Sequence, residues 1–228
     1  MLRAASVTFF TFALSSGYSH AADPIDLLQQ LRATEAEAAE RAAEAAERAA
    51  DPARQQHLNR YGEFHLHNDG SVTIHGLQWM RCSLGQQWEP DPASPSDGTC
   101  SGDAMRISWD DASQLVVMFN DAGGFAGHTD WRLPSITELD ALRLCRTGRT
   151  RGEARLPGGE STFSGCDDSY RPTIDIQVFP NTPSTSAWFW SNSPTSAGRM
   201  LAVDFSNAII FDRPVSSRDR VRLVRGGH

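Results

Sequence analysis

The chain has 228 residues and a formal net charge of −7, because 28 acidic residues outweigh 21 Lys and Arg residues. This acidic balance argues against general nucleic-acid binding, which relies on clustered positive charge.

The N-terminus has the features of an export signal. Arg3 gives a positive start, residues 4–16 are apolar or small, and Ser19 and Ala21 occupy the −3 and −1 positions of a cleavage site. This apolar run is shorter than the roughly 20 residues that a membrane-spanning helix needs, which disfavours the alternative of an uncleaved anchor. We therefore expect residues 1–21 to be a signal peptide. The mature chain would be periplasmic or secreted and would have no membrane span.

Residues 22–58 differ in composition from the rest of the chain. Residues 38–44 read Ala-Ala-Glu-Arg-Ala-Ala-Glu, and residues 45–51 nearly repeat them. These strong helix formers predict a long Ala/Glu/Arg helix. Alanine at most seam positions of the heptad buries too little area for a strong coiled coil. Two alternatives stay open: a solvated helical spacer, or a weak coiled coil that supports a homo-oligomer such as a trimer.

Residues 59–228 are predicted to form one α+β domain. Two helices begin at local caps: Ser108 precedes one apolar helical face, and Ser135 with Glu138 forms a capping box ahead of another. The second helix is expected to end near Cys145 or Arg146. Residues 84–104 and 147–172 are polar, glycine-containing stretches, the first of which is expected to be a loop. Alternating or apolar runs predict strands around 63–67, 72–74, 76–80, 187–191, 200–205, 208–211 and 221–225.

Four cysteines in an exported chain predict two disulfides. Pairing of sequence neighbours gives Cys82–Cys100 and Cys145–Cys166, each closing a polar, turn-rich loop. A zinc site is disfavoured because no Cys-x-x-Cys spacing occurs. The pattern indicates neither a metal nor a cofactor.

Several segments together resemble one known family, the C-terminal domain of the Legionella collagen-like adhesin. The resemblance covers about residues 61–228. It is carried by Gly76-Leu77-Gln78-Trp79, Trp109-Asp110-Asp111-Ala112, Asp130-Trp131-Arg132-Leu133-Pro134-Ser135-Ile136-Thr137-Glu138-Leu139, Phe179-Pro180-Asn181-Thr182, Phe189-Trp190-Ser191, Val203-Asp204-Phe205 and Val221-Arg222-Leu223-Val224-Arg225-Gly226-Gly227. It implies a C-type-lectin-like fold with two helices and a twisted antiparallel sheet. For the adhesin itself it also implies adhesion and binding of glycans or sulfated polysaccharide.

Most motif residues are expected to be structural. Trp131 and Leu133 fit a core, and Arg132 is expected to bond loop carbonyls or to pair with an acid such as Asp130 or Asp204. Trp188 and Trp190 would share one face of a strand, in the core or as an aromatic platform for sugars. The other residues assigned a structural role are Pro134, Arg222 and Arg225.

One cluster is a candidate for ligand binding. Five arginines fall within thirteen residues: Arg143, Arg146, Arg149, Arg151 and Arg155. Arginine forks suit sulfate and carboxylate groups, so a polyanion is the expected ligand. The alternative is a solvated helix end whose charge is neutralised by Glu153, Glu160 and Asp167.

Three classes of function follow from these features. The favoured one is a non-catalytic binding or adhesion module whose partner is a polyanionic glycan or an envelope protein. The second is a structural subunit of an envelope assembly that oligomerises through its N-terminal helix. The third is an unrecognised enzyme, which is disfavoured because neither a Gly-x-Ser-x-Gly nor a His-Glu-x-x-His motif occurs.

Overall fold

The structure is a computed structural model that describes residues 64–227, except residues 160, 168, 196 and 197. The expected signal peptide (1–21) and helical segment (22–58) lie outside the described residues. In chain order the strands are β1 (Phe64–Leu66), β2 (Ser71–Ile74), β3 (Leu77–Met80), β4 (Gln87–Glu89), β5 (Thr99–Ser101), β6 (Thr150–Arg155), β7 (Ser161–Cys166), β8 (Trp188–Pro194), β9 (Met200–Asp204), β10 (Ile209–Arg213) and β11 (Val224–Arg225). The α-helices are α1 (Trp109–Asp121) and α2 (Ile136–Ala141).

Two antiparallel sheets form the centre of the domain. The larger has the order β1-β2-β3-β11, and the smaller has the order β10-β9-β8. The β1–β2 hairpin pairs Phe64 with Ile74, which confirms the strands expected around 63–67 and 72–74. The C-terminal β11 returns to pair with β3, which joins the two ends of the described chain in one sheet. Mostly strands with two short helices confirm the α+β class.

Strand β8 divides the core into two clusters because its side chains alternate. Phe189 is fully buried in the first cluster, with Val203 and Phe205. Trp190 is fully buried in the second cluster, and Trp188 packs against that cluster. The two tryptophans therefore share one face, as predicted, and Trp190 is a core residue.

Two polar segments that were not predicted to be strands form hairpins. β4 pairs with β5 inside the expected 84–104 loop, and β6 pairs with β7 inside the 147–172 stretch. A 3₁₀ turn, Pro95–Asp97, connects the first pair. Each hairpin carries a disulfide, since Cys100 is the middle residue of β5 and Cys166 is the last residue of β7. The disulfides help to stabilise these hairpins. Their strands contain few apolar side chains, so the sequence pattern did not predict them.

Both disulfides form as predicted. Cys82 and Cys100 are bonded with their Cα atoms 5.5 Å apart, and Cys145 and Cys166 with theirs 5.2 Å apart. The first disulfide anchors the β4–β5 hairpin to the end of β3. The second anchors the β6–β7 hairpin to the chain that follows α2.

Both helices begin where the sequence indicates. The Ser108 hydroxyl accepts from the Asp111 amide, and Ser135 with Glu138 forms a complete capping box. The expected end of the second helix near Cys145 is wrong, because α2 stops at Ala141. The Leu144 amide instead donates to the Thr173 carbonyl, 2.9 Å away, so a distant segment takes over the hydrogen bond that would continue the helix.

Candidate functional site

Arg143 does not belong to the candidate binding surface, which corrects the expectation from the sequence. Its side chain is 0% exposed. The guanidinium donates to the Asp140 carboxylate and to the carbonyl of Ala208. It also donates to the Phe163 carbonyl and the Thr162 hydroxyl, at 3.0 and 2.7 Å. Arg143 is a structural residue that ties the end of α2 to β7 and to the chain before β10.

Arg146, Arg149 and Arg151 are exposed beside the Cys145–Cys166 disulfide. Within the part of the chain that the structure describes, neither Arg146 nor Arg149 forms an ion pair. Arg151 donates from Nε to the Cys166 carbonyl, 2.9 Å away, which holds this side chain along the hairpin. The disulfide therefore brings three of the five arginines to one area of the surface.

Tyr170 is part of this surface and was missed from the sequence. It is 52% exposed, and the Arg146 guanidinium lies 5.6 Å from its ring centroid. Tyr170 follows Arg146 by twenty-four positions, so local spacing carries no signal of their contact. The nearby Cys145–Cys166 disulfide could have suggested it. We call Arg146, Arg149, Arg151 and Tyr170 the hairpin-base surface.

Arg155 is separate from the hairpin-base surface. It ends β6 at the far end of the hairpin, where its Nη1 donates to the Gly159 carbonyl, 3.0 Å away. Arg155 lies four positions after Arg151 in extended chain, which amounts to about 13 Å. The expectation that Arg149, Arg151 and Arg155 lie on one exposed loop is therefore wrong, because the last two belong to a strand.

Arg132 connects three parts of the chain. It forms two bonds with the Glu138 carboxylate, at 2.9 and 2.7 Å, and donates to the Gly226 carbonyl at 2.8 Å. The expected bond to a loop carbonyl is confirmed, but the acid is Glu138 rather than Asp130 or Asp204. Asp130 pairs instead with Arg225, at 2.7 Å.

The ion pair between Arg132 and Glu138 sets the protonation state of both groups. Its hydrogen bond raises the pKa of Arg132 above the ordinary arginine value. Burial by itself would raise the pKa of Glu138, but the bonds from Arg132 and from the Ser135 amide outweigh burial and lower it. Glu138 is therefore an anion at neutral pH, and its carboxylate accepts hydrogen bonds both from the Ser135 amide of the capping box and from Arg132.

The other motif residues occupy the core. Trp131 donates from Nε1 to the Phe125 carbonyl, and Trp190 donates to the Ile107 carbonyl, at 2.9 and 3.0 Å. Pro134 is buried in the approach to α2. Arg222 is 0% exposed, and its guanidinium lies 4.6 Å from the Phe179 ring centroid. These contacts explain the motif as the framework of the domain.

A second group of arginines was also missed. Ile107 and Asp219 form an antiparallel bridge, so Arg106 lies opposite Arg220. Arg218 shares a face with Arg220 by alternation. Within the described residues none of these three arginines forms an ion pair. Burial and the charge of Arg106 lower the pKa of Arg220. The signal in the sequence was the Arg-Asp-Arg run at 218–220, but its partner Arg106 is more than one hundred residues away.

The described residues offer neither a metal centre nor a membrane-spanning helix. No group of three or more His, Cys, Asp or Glu side chains among them is placed to hold a metal ion. None of their helices has the length and apolar character that crossing a bilayer requires.

These observations define a class: a disulfide-stapled α+β domain with buried structural arginines and an exposed cationic surface. Residues 72–225 match the family described as the Lcl C-terminal domain, and the chain belongs to this family. The match confirms the resemblance drawn from the motifs. No curated protein matches the chain. The family is an adhesin-related domain rather than a known enzyme family, and with the two disulfides it is consistent with an extracellular or periplasmic location.

Proposed function

We propose that the chain is an exported, non-catalytic adhesion module whose hairpin-base surface binds acidic glycans such as sulfated polysaccharide. The observation that carries this proposal is the pair Arg146 and Arg149, both exposed and without an ion pair in the described part of the chain. Both belong to a segment anchored by a disulfide, and Arg146 lies 5.6 Å from the centroid of an exposed tyrosine ring.

Each component of the surface has a physical role in such binding. A guanidinium presents two parallel donors that match a sulfate or carboxylate group. The exposed ring of Tyr170 offers apolar area against which a sugar ring can pack. Because the Cys145–Cys166 bond restrains the segment, binding orders few additional backbone torsions.

Finer features of the proposal rest on the resemblance and on the sequence. We propose that the domain has the C-type-lectin-like fold and that residues 22–58 form a helix that displays it, after removal of residues 1–21. Formation of a homo-oligomer, such as a trimer, through this helix stays a prediction. The mass of the purified protein in solution, with and without residues 22–58, tests it.

Retention on a heparin column tests the glycan proposal. We expect the protein to bind at low salt and to elute as salt rises, because the Debye length shortens to about 10 Å at 0.1 M. The R146A/R149A variant should elute at clearly lower salt with an unchanged melting temperature. Y170A should weaken retention further by removing the apolar face.

A matched control separates a specific surface from general electrostatics. The R106A/R218A variant also removes two positive charges, from arginines that are exposed elsewhere on the domain. Its elution should stay close to that of the unmodified protein. Equal losses in the two double variants would contradict the proposal, as would full retention of R146A/R149A.

A further inference from the structure

An apolar pocket of about 530 Å³ opens between α1, the end of the larger sheet and the β4–β5 hairpin. This volume lies within the range that small-molecule sites occupy in proteins. The apolar side chains that line it come from these three elements and from the loops on either side of α1. They include Met80, Trp88, Met105, Leu115, Phe119 and Phe125.

The helix that forms one wall of this pocket is only partly covered by the rest of the described protein. Ala112 and Val116 of α1 are buried in the core, at 0% and 8% exposure. Leu115 and Phe119, one turn apart on the neighbouring stripe, stay only half-buried and line the pocket. The helix therefore presents apolar area to the pocket as well as to the core.

The opposite walls are held in place by close contacts. Gly70 has φ +84°, and a Cβ atom there would lie 2.4 Å from the Trp88 ring, so only glycine lets the tryptophan pack this closely. Gly85 has φ +92° and similarly contacts Met105. Cys82, bonded to Cys100, also lines the pocket. These restraints indicate a preformed cavity rather than a gap that side chains could close.

The residues that line the pocket indicate which chemical groups a ligand should carry. Two methionines and three aromatic rings favour an aromatic group, because thioether sulfur and aromatic rings both make favourable contacts with a further ring. Asp69 is the one charged residue in the lining. Its Oδ1 accepts from the amide and hydroxyl of Ser71, at 2.8 and 2.6 Å, which fixes the carboxylate at the rim. A cationic head group beside Asp69 is favoured, and an anionic one is repelled.

We propose that this pocket binds an arylalkylamine, with the ring inside and the ammonium group at Asp69. The site is independent of the hairpin-base surface, which is cationic and lies beside the other disulfide. Its ligand has the opposite charge to a sulfated glycan. The two proposals can therefore fail separately.

Methionine methyl NMR on the full-length protein tests the site directly. Met80 and Met105 line the pocket, whereas Met118 is 65% exposed on α1 and Met200 is buried away from the pocket lining. Titration with 4-phenylbutylamine should shift the Met80 and Met105 signals and leave that of Met118 in place. The anion 4-phenylbutyrate has the same apolar body and should bind more weakly, by a factor on the order of ten.

Matched variants check the geometry. Met105 is 41% exposed at the pocket, so M105W should occlude it without unfolding the domain, whereas M118W places the same bulk outside. In M105W the amine should no longer shift the Met80 signal, whereas in M118W the shift should be the same as in the unmodified protein. D69N should bring the affinities for the amine and the acid close to each other. D121N removes a carboxylate from the exposed end of α1 and should leave the difference between the two affinities unchanged.

Three results would overturn the proposal. One is the absence of any shift at Met80 and Met105 with millimolar amine. Another is equal or tighter binding of 4-phenylbutyrate to the unmodified protein. The third is a shift of Met80 and Met105 on dilution with loss of a dimer in solution, which would make a second copy of the chain the occupant.

Discussion

Replacing Glu138 by glutamine tests whether the Arg132–Glu138 pair holds the domain together. The carboxylate accepts two bonds from Arg132 and one from the Ser135 amide, all between 2.7 and 2.9 Å. Glutamine keeps one acceptor oxygen but presents an amide donor to the guanidinium, so at least one charge-assisted bond is lost. Exposure of Arg132 and Glu138 is 29% and 18%, which leaves the pair partly shielded from water.

A hydrogen bond to a charged group contributes about 1.5–3 kcal/mol, and partial exposure reduces this contribution. We therefore expect E138Q to lower the free energy of unfolding by about 2 kcal/mol. For a domain of this size that corresponds to a fall in Tm of about 4–8 °C. The exposed E153Q substitution in β6 removes the same charge and should change the free energy by less than about 0.5 kcal/mol.

The pH dependence of this difference gives a second readout. Because the pKa of Glu138 is lowered in the folded state, its contribution is complete above the ordinary glutamate pKa of about 4.3. The contribution is lost as pH falls through the folded-state pKa. Urea unfolding at pH 7, 5 and 3.5 should show a gap between the unmodified protein and E138Q that narrows at the lowest pH. A gap that is absent at pH 7, or unchanged at pH 3.5, would refute this reasoning.

Two further predictions concern the core and the disulfides. R222M should lower the free energy of unfolding in urea by about 3–5 kcal/mol, because it leaves buried acceptors such as the Met80 carbonyl without their donor. R218A is the exposed control. Equal stability of the two variants would show that the hydrogen bonds of Arg222 do not stabilise the domain. C145A/C166A opens a bridge with a sequence separation of 21 and should cost about 3 kcal/mol. C82A/C100A, with a separation of 18, should cost nearly the same, and a much larger loss for either would mean that the bond holds native geometry rather than restricting the unfolded chain.

The features predicted correctly from the sequence are those that depend on neighbouring residues. A helix start needs only a cap and a short apolar stripe, so Ser108 and Ser135 marked both helices. The end of α2 depends on a bond from Leu144 to Thr173, which no local pattern reveals. The β6–β7 hairpin escaped prediction for a related reason. Its stability comes from a disulfide and from Arg143 rather than from alternating apolar side chains.

The candidate site also depends on contacts between distant parts of the chain, which the local sequence does not reveal. Arg143 and Arg146 are three residues apart, and a continuing helix would have placed both at one surface. Because α2 ends at Ala141, the chain turns, and one arginine enters the core while the other stays in water. Charge density along the sequence does not distinguish these outcomes.

The buried Arg81 and Arg222 donate to backbone carbonyls that lie far away along the chain. Arg81 donates to the carbonyl of Val178, and Arg222 to that of Met80, across separations of 97 and 142 residues. Each collects backbone carbonyls that would otherwise be buried without a donor, and both stack on aromatic rings. Arg146 and Arg149, by contrast, are exposed and form no ion pair among the described residues, so they are left for binding. A binding surface in this family is therefore found by first assigning the arginines that the core requires.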